Sequence, residues 1–175
     1  MSLSQEFVDA IVGLDEKRAI ELAKRRLEVE DPQAVLGDLR VAADVIGSKF
    51  ECGDYFVADL VMAGEILKAI SDMVREKLRA MGRVRETIGR LLIGTVEGDI
   101  HDIGKNIVVT MAEAAGFEVI DIGVDVPPQK FIEAIKQYKP DIVGMSCLIT
   151  VGIESMKRTV DAIKEAGLRD KVKII

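Results

Sequence analysis

Arg90-Leu91-Leu92-Ile93-Gly94-Thr95-Val96-Glu97-Gly98-Asp99-Ile100-His101-Asp102-Ile103-Gly104-Lys105-Asn106 is the stretch on which the reading of this chain turns. An apolar run opens it and reads as a buried strand. A glycine-rich turn follows, carrying the single histidine of the 175 residues toward a helix start. Carboxylates flank that imidazole. One of them can hold the far ring nitrogen, fixing the tautomer and raising the basicity of the other nitrogen. His101 is therefore a candidate metal ligand. A lone histidine beside an aspartate is also commonly a plain surface residue, so the rest of the chain has to decide.

Downstream of this stretch the apolar period is that of alternating strands and helices. Leu91 to Val96 reads as a strand, Lys105 to Ala115 as a helix stopped by Gly116, and Phe117 to Ile122 as a second strand. A helix from Pro128 to Tyr138, a strand from Asp141 to Ser146 and a helix from Ile153 to Ala166 follow, and Val172 to Ile175 opens a fourth strand. Such alternation predicts right-handed crossovers and a doubly wound, Rossmann-like or flavodoxin-like parallel sheet. The strands are continuous apolar runs, as when both faces are covered. Ligands of such sheets bind outside the carboxyl ends of the strands, where the loops 97–104, 123–128 and 146–152 meet. With no fifth strand or closing helix, the sheet reads as truncated after the fourth strand.

Upstream, residues 1–82 carry helix signals only. Ser4 to Leu14 is amphipathic, and Asp15 can cap a helix with Ala19, Leu22, Ala23 and Leu27 on one face. Asp31-Pro32 opens a third helix in which Leu36, Leu39, Ala43, Ile46 and Phe50 keep a 3–4 spacing up to Gly53. A fourth runs from about Tyr55 to Arg79. The expected organisation is an all-α four-helix bundle over 1–82, a charged linker over 83–89 that can act as a hinge, and an α/β domain over 90–175.

Composition narrows the classes. A net charge of −6 argues against a nucleic-acid footprint. No run of about 18 uncharged apolar residues is present, so no membrane span is expected. No secretory signal is visible, and a cytoplasmic location is expected. Cys52 and Cys147 form no CxxC and, with one histidine, no zinc quartet; both read as small buried hydrophobes. A metal in this chain is thus expected to arrive inside a cofactor.

Asp99-Ile100-His101-Asp102-Ile103-Gly104 is followed, after forty-one intervening residues, by Ser146-Cys147-Leu148 at the end of the third strand. With the extended string GTVEGDIHDIGKNIV, this combination resembles the cobalamin-binding module of methionine synthase and of corrinoid methyl-carrier proteins. The resemblance covers about residues 30 to 175. It implies cobalamin or a related corrinoid, bound base-off and His-on, with His101 on cobalt and Asp99 accepting the other imidazole N–H. It also implies that Gly98, Ile100, Asp102, Ile103 and Gly104 shape the surrounding loop, and that Ser146, Leu148 and Thr150 line a slot for the detached nucleotide tail. In methionine synthase a serine six residues after the Ser-x-Leu serine completes a relay from the imidazole; here that position is Gly152. The family's later Gly-Gly pair would fall at or past Ile175, which would leave the upper slot incomplete.

The helical half is similar to the cap that covers the corrin. The segment Phe50-Glu51-Cys52-Gly53-Asp54-Tyr55-Phe56-Val57 matches the cap stretch, which implies that Phe50 and Val57 shield the upper cobalt face. The function implied is a methyl carrier serving a donor-specific methyltransferase, a methylcorrinoid:acceptor methyltransferase acting on tetrahydrofolate or a thiol, and a reductive activase. Other readings stay open: a corrinoid mutase subunit or a cobalamin sensor shares the motif, and a phosphoryl receiver or a dinucleotide binder shares the fold. The last two lack, respectively, an Asp at the end of the third strand and a GxGxxG turn.

Overall fold

The computed structural model describes residues 2–83 and 87–175; the centre of the expected linker, 84–86, lies outside the described residues. Two compact units emerge, Met1–Glu86 with Glu113–Gly116, and Thr87–Ala112 with Phe117–Ile175.

The first unit is helical: α1 Leu3–Val12, α2 Glu16–Val29, α3 Pro32–Glu51 and α4 Val57–Ala80. Side-chain caps set the first three starts. Ser2 Oγ accepts from Gln5 N at 3.2 Å, Asp15 Oδ1 from Arg18 N at 3.0 Å, and Asp31 Oδ1 from Gln33 N at 2.8 Å, each satisfying a helix-start donor. The fourth starts two residues later than the spacing predicts, because the Asp59 carboxylate reaches back to Phe56 N at 2.8 Å. Phe7, Ile11, Leu22, Leu39, Leu67, Ile70 and Val74 are fully buried. Arg26, also buried, holds Glu30 at 2.7 Å and Asp38 at 2.6 Å, with Ser4 Oγ donating to the same Asp38 oxygen at 2.7 Å. A buried guanidinium needs such partners, and here they tie three helices together. One expectation fails. Cys52 is exposed at the C-cap of α3, where no core remains to cover it, and Phe50, in the last turn of that helix, is 42% exposed.

The second unit is β1 Arg90–Thr95, α5 Ile103–Ala115, β2 Glu118–Asp121, α6 Pro128–Tyr138, β3 Ile142–Ser146, α7 Thr150–Glu165, a 3-10 turn Arg169–Lys171 and β4 Lys173–Ile174. The sheet is wholly parallel with order β2-β1-β3-β4. Leu92 aligns with Ile120 on one side and Val143 on the other. Leu92, Val96, Val126, Phe131, Val143 and Ile163 form a dry core. Gly94 is needed by space, since a Cβ there would lie 2.7 Å from Ile122. The chain leaves β1 to one side and returns to the other, so the carboxyl ends of β1 and β3 form the topological switch point. Helices α5 and α7 begin two and three residues earlier than expected. In α5 this is because the Asp102 carbonyl already accepts Asn106 N at 2.8 Å. Among the described residues no helix is long and apolar enough to cross a membrane.

Candidate cofactor site

After β1 the chain turns through Gly98, whose φ of +85° suits glycine alone. The Gly98 N–H donates to Asp125 Oδ1 at 2.7 Å, and Asp125 N donates to the Asp99 carbonyl at 2.9 Å. This clamp drives the Asp99 side chain inward, where the residue is 1% exposed. Its Oδ1 accepts the His101 main-chain N–H at 3.0 Å and ring Nδ1 at 2.6 Å. Its Oδ2 accepts Leu148 N at 2.6 Å and, more weakly, Ile149 N at 3.4 Å. One carboxylate thus staples the loop after β1 to the loop after β3.

These donors hold the Asp99 carboxyl well below the usual carboxylate range. The His101 and Leu148 main-chain N–H groups contribute most, burial opposes them, and the imidazole and the Ile149 N–H add the rest. An ionised carboxylate only accepts, so Nδ1 carries a proton and Nε2 is the ring nitrogen turned away from Asp99. The His101 carbonyl is held by the buried Thr95 hydroxyl at 3.1 Å, while the imidazole is 51% exposed. The ring is oriented by Asp99 and half-exposed to solvent.

Two grooves meet beside it. A space of about 420 Å³ is lined by Ile100, His101, Asp102, Ile103, Gly104, Ser146, Cys147 and Leu148. A second of about 320 Å³ is lined by Ile93, Gly104, Lys105, Val108, Gly144, Met145, Ser146, Cys147, Met156 and Ile175. Shared lining residues Gly104, Ser146 and Cys147 set the two side by side where β1, β3 and α5 meet. A Cβ on Gly104 would meet nothing within 4 Å. Ile100, Ile103 and Leu148, each over 70% exposed, make an apolar rim, the kind of surface that marks a binding site.

Of the residues expected at the site, the structure gathers Asp99, Ile100, His101, Asp102, Ile103, Gly104, Ser146 and Leu148. Gly98 is drawn away by Asp125 and shapes the loop without lining either groove; Thr150 is exposed at the start of α7 and lines neither. Phe50 and Val57 belong to the helical unit, where they are 42% and 53% exposed. Sequence reasoning missed Lys105, buried with its ammonium on the Asp121 carboxylate and 2.9 Å from Asn106 Oδ1. It also missed the Leu148 and Ile149 amides, which leave no side-chain signal. The lysine directly after Gly104 was the one visible clue. Among the described residues no three or more His, Cys, Asp or Glu side chains converge as a bare-ion site.

Residues 89–175 match a B12 binding domain family, and residues 3–75 match a second B12 binding domain family. The chain is 37% identical over 174 residues to dimethylamine corrinoid protein 2 of Methanosarcina acetivorans, covering 99% of this chain and 80% of that one. A cobalamin-binding protein from Desulfitobacterium hafniense superposes with a TM-score of 0.85 at 37% identity, covering 99% of this chain and 82% of the other. The methanol:cobalamin methyltransferase complex of Methanosarcina barkeri gives a TM-score of 0.79 at 28% identity, covering 94% of this chain and 64% of that one. With the Asp99-held imidazole at the switch point of a parallel sheet, these similarities place the chain in the family of B12-binding corrinoid proteins of methyltransferase systems.

Proposed function

We propose that this chain carries a methyl group on a corrinoid between two methyltransferases, with His101 as the lower ligand of a base-off cofactor. The observation that supports this most is the imidazole itself: tied at Nδ1 by Asp99, half-exposed, and standing beside the two grooves that Gly104, Ser146 and Cys147 share. The donor set fits the group, because one oriented imidazole nitrogen suits a single metal position and the apolar rim suits a macrocycle edge. When bound, a corrinoid supplies a cobalt centre that takes a methyl group from one partner and yields it to another.

The residues do the rest. Asp99 keeps the Nε2 lone pair directed outward and stabilises positive charge on the ring, so the strength of axial ligation is set from the protein side. Gly104, Ser146 and Gly144 keep the tail path open. In the helical unit, proposed as a cap over 1–82, Phe50 and Val57 would exclude water from the upper face. The linker 83–89 would let that cap move for each partner. Those partners are a donor-specific methyltransferase, an acceptor methyltransferase using tetrahydrofolate or a thiol, and a reductive activase, all in the cytoplasm. That similar proteins are named for methanol and for dimethylamine supports a reading in which the partner selects the donor.

The single histidine makes the test clean. Protein labelled with ¹⁵N-histidine and loaded with hydroxocobalamin is reduced to cobalt(II), and its electron paramagnetic resonance should show coupling to one ¹⁵N nucleus. His101→Ala should abolish that coupling while far-ultraviolet circular dichroism stays unchanged. Coupling to the cofactor's own benzimidazole nitrogen in the parent protein, or no corrin uptake, refutes the proposal.

A further inference from the structure

The turn that presents the Leu148 and Ile149 amides to Asp99 is itself held from behind. The Ile149 carbonyl accepts the Gly152 N–H at 3.0 Å and the Cys147 thiol at 3.0 Å. Burial, and then the Asp99 carboxylate, push the Cys147 thiol up, so it stays an S–H donor. Gly152 lies in the first turn of α7, and its φ is outside the left-handed region, so backbone freedom does not explain the glycine. Space does. A Cβ on Gly152 would lie 2.3 Å from Cys147 Sγ, while its next neighbours, Val96 Cγ2 and Cys147 Cβ, stand at an ordinary 3.4 and 3.5 Å. The sulfur alone fills the volume that a side chain at 152 would occupy.

We propose that Cys147 and Gly152 are a size-matched pair that positions Asp99, and through it His101. The thiol occupies the volume left by the glycine and pins the Ile149 carbonyl. The N–H groups of Ile149 and Leu148, on the two preceding peptide units of the same turn, then fix the carboxylate that sets the ring tautomer. Cys147 is a positioning residue, acting on His101 through Asp99. It also accounts for the departure at residue 152: a serine hydroxyl there would need the space the sulfur holds. The inference rests on the reading of His101 as the cobalt ligand, but its geometry can be tested without a corrinoid.

Three variants test it: Gly152→Ser, Cys147→Ala and the double Cys147→Ala/Gly152→Ser. The readouts are the imidazole ¹⁵N shifts and the Leu148 amide proton shift of the corrinoid-free protein, then the His-on fraction after loading with hydroxocobalamin. Gly152→Ser should displace the sulfur, remove the downfield shift of the Leu148 amide and move the ring nitrogens toward a mixture of tautomers. In the double variant the remaining Cβ–Cβ contact is ordinary. The new hydroxyl can donate to the carbonyl three residues back, so the parent shifts should return. A simple loss of stability would not change the tautomer.

Parent-like ring and amide shifts in folded Gly152→Ser, or a folded double variant that does not restore them, overturn the proposal. If Gly152→Ser does not fold, Cys147→Ala decides: unchanged Leu148 and ring shifts there overturn it equally. A parent protein with the expected shifts that nonetheless keeps the benzimidazole on cobalt sinks the reading of His101 as ligand, not the pairing.

Discussion

Asp99 Oδ1 receives two hydrogen bonds from one residue, the main-chain N–H of His101 at 3.0 Å and its ring Nδ1 at 2.6 Å. The backbone contact fixes where the ring begins and the side-chain contact fixes how it is turned. A histidine held at both points presents Nε2 in one direction before any cofactor arrives, so little ordering remains to oppose ligation.

Asp99→Asn tests this arrangement most sharply. The carboxamide has one accepting oxygen and one donating nitrogen, whereas the site offers donors on both sides. With its oxygen toward Leu148 and Ile149, the amide group would face Nδ1 and drive the proton to Nε2, the nitrogen proposed to take the metal. Axial histidine ligation should weaken about 10–100-fold, measured as the ratio of His-on to His-off spectra across added imidazole.

The same carboxylate sets an acid dependence. Its folded pKa lies below the ordinary range, against about 3.9 in an unfolded chain. Its contribution to stability is therefore fully present above about pH 4 and is lost only as pH falls further, through the depressed folded value. The Asp99 ¹³Cγ shift should stay flat through pH ~4, and the stability gap between parent and Asp99→Asn should begin to shrink only below that point. A normal titration would show that the loop donors are not engaged in solution.

Lys105→Met keeps the aliphatic stem but removes the buried ammonium from Asp121 and Asn106. Asp121 is 34% exposed and can recover water, so the loss should be about 1–3 kcal/mol in urea unfolding, less than for a fully buried pair. Because Lys105 lines the second groove, corrinoid affinity should fall as well, while the ring tautomer of His101 is retained.

Phe50→Ala separates a shielding role from a core role. At 42% exposure it should cost roughly 1 kcal/mol, against about 3–5 kcal/mol for a buried phenylalanine. If Phe50 shields the upper face, the methylated, loaded protein should photolyse faster than the parent, and Val57→Ala should act in the same direction more weakly. Equal photolysis rates would leave Phe50 as an exposed helix-end residue.

How far the sequence carried differs from element to element. Helix α6 was legible to the residue because Pro128 and the apolar spacing act within one turn. The starts of α5 and α7 were read late because the carbonyls and amides that open them carry no side-chain label. Cys52 was expected to be buried and is exposed, because a 3–4 stripe does not show where the opposing helices stop.

The chain's own order of residues determined its division into helices followed by strand–helix alternation, and it singled out His101 with Asp99 two residues away. Both are matters of local period and spacing. Only the tertiary structure decided that Leu148 and Ile149, about fifty residues downstream, supply the amides on the far carboxylate oxygen, that Cys147 fills the volume Gly152 leaves, and that Lys105 is buried against Asp121. Those pairings arise where β1 and β3 lie side by side after the chain has crossed over. Adjacency across a sheet edge is set by packing between elements, which no local period records.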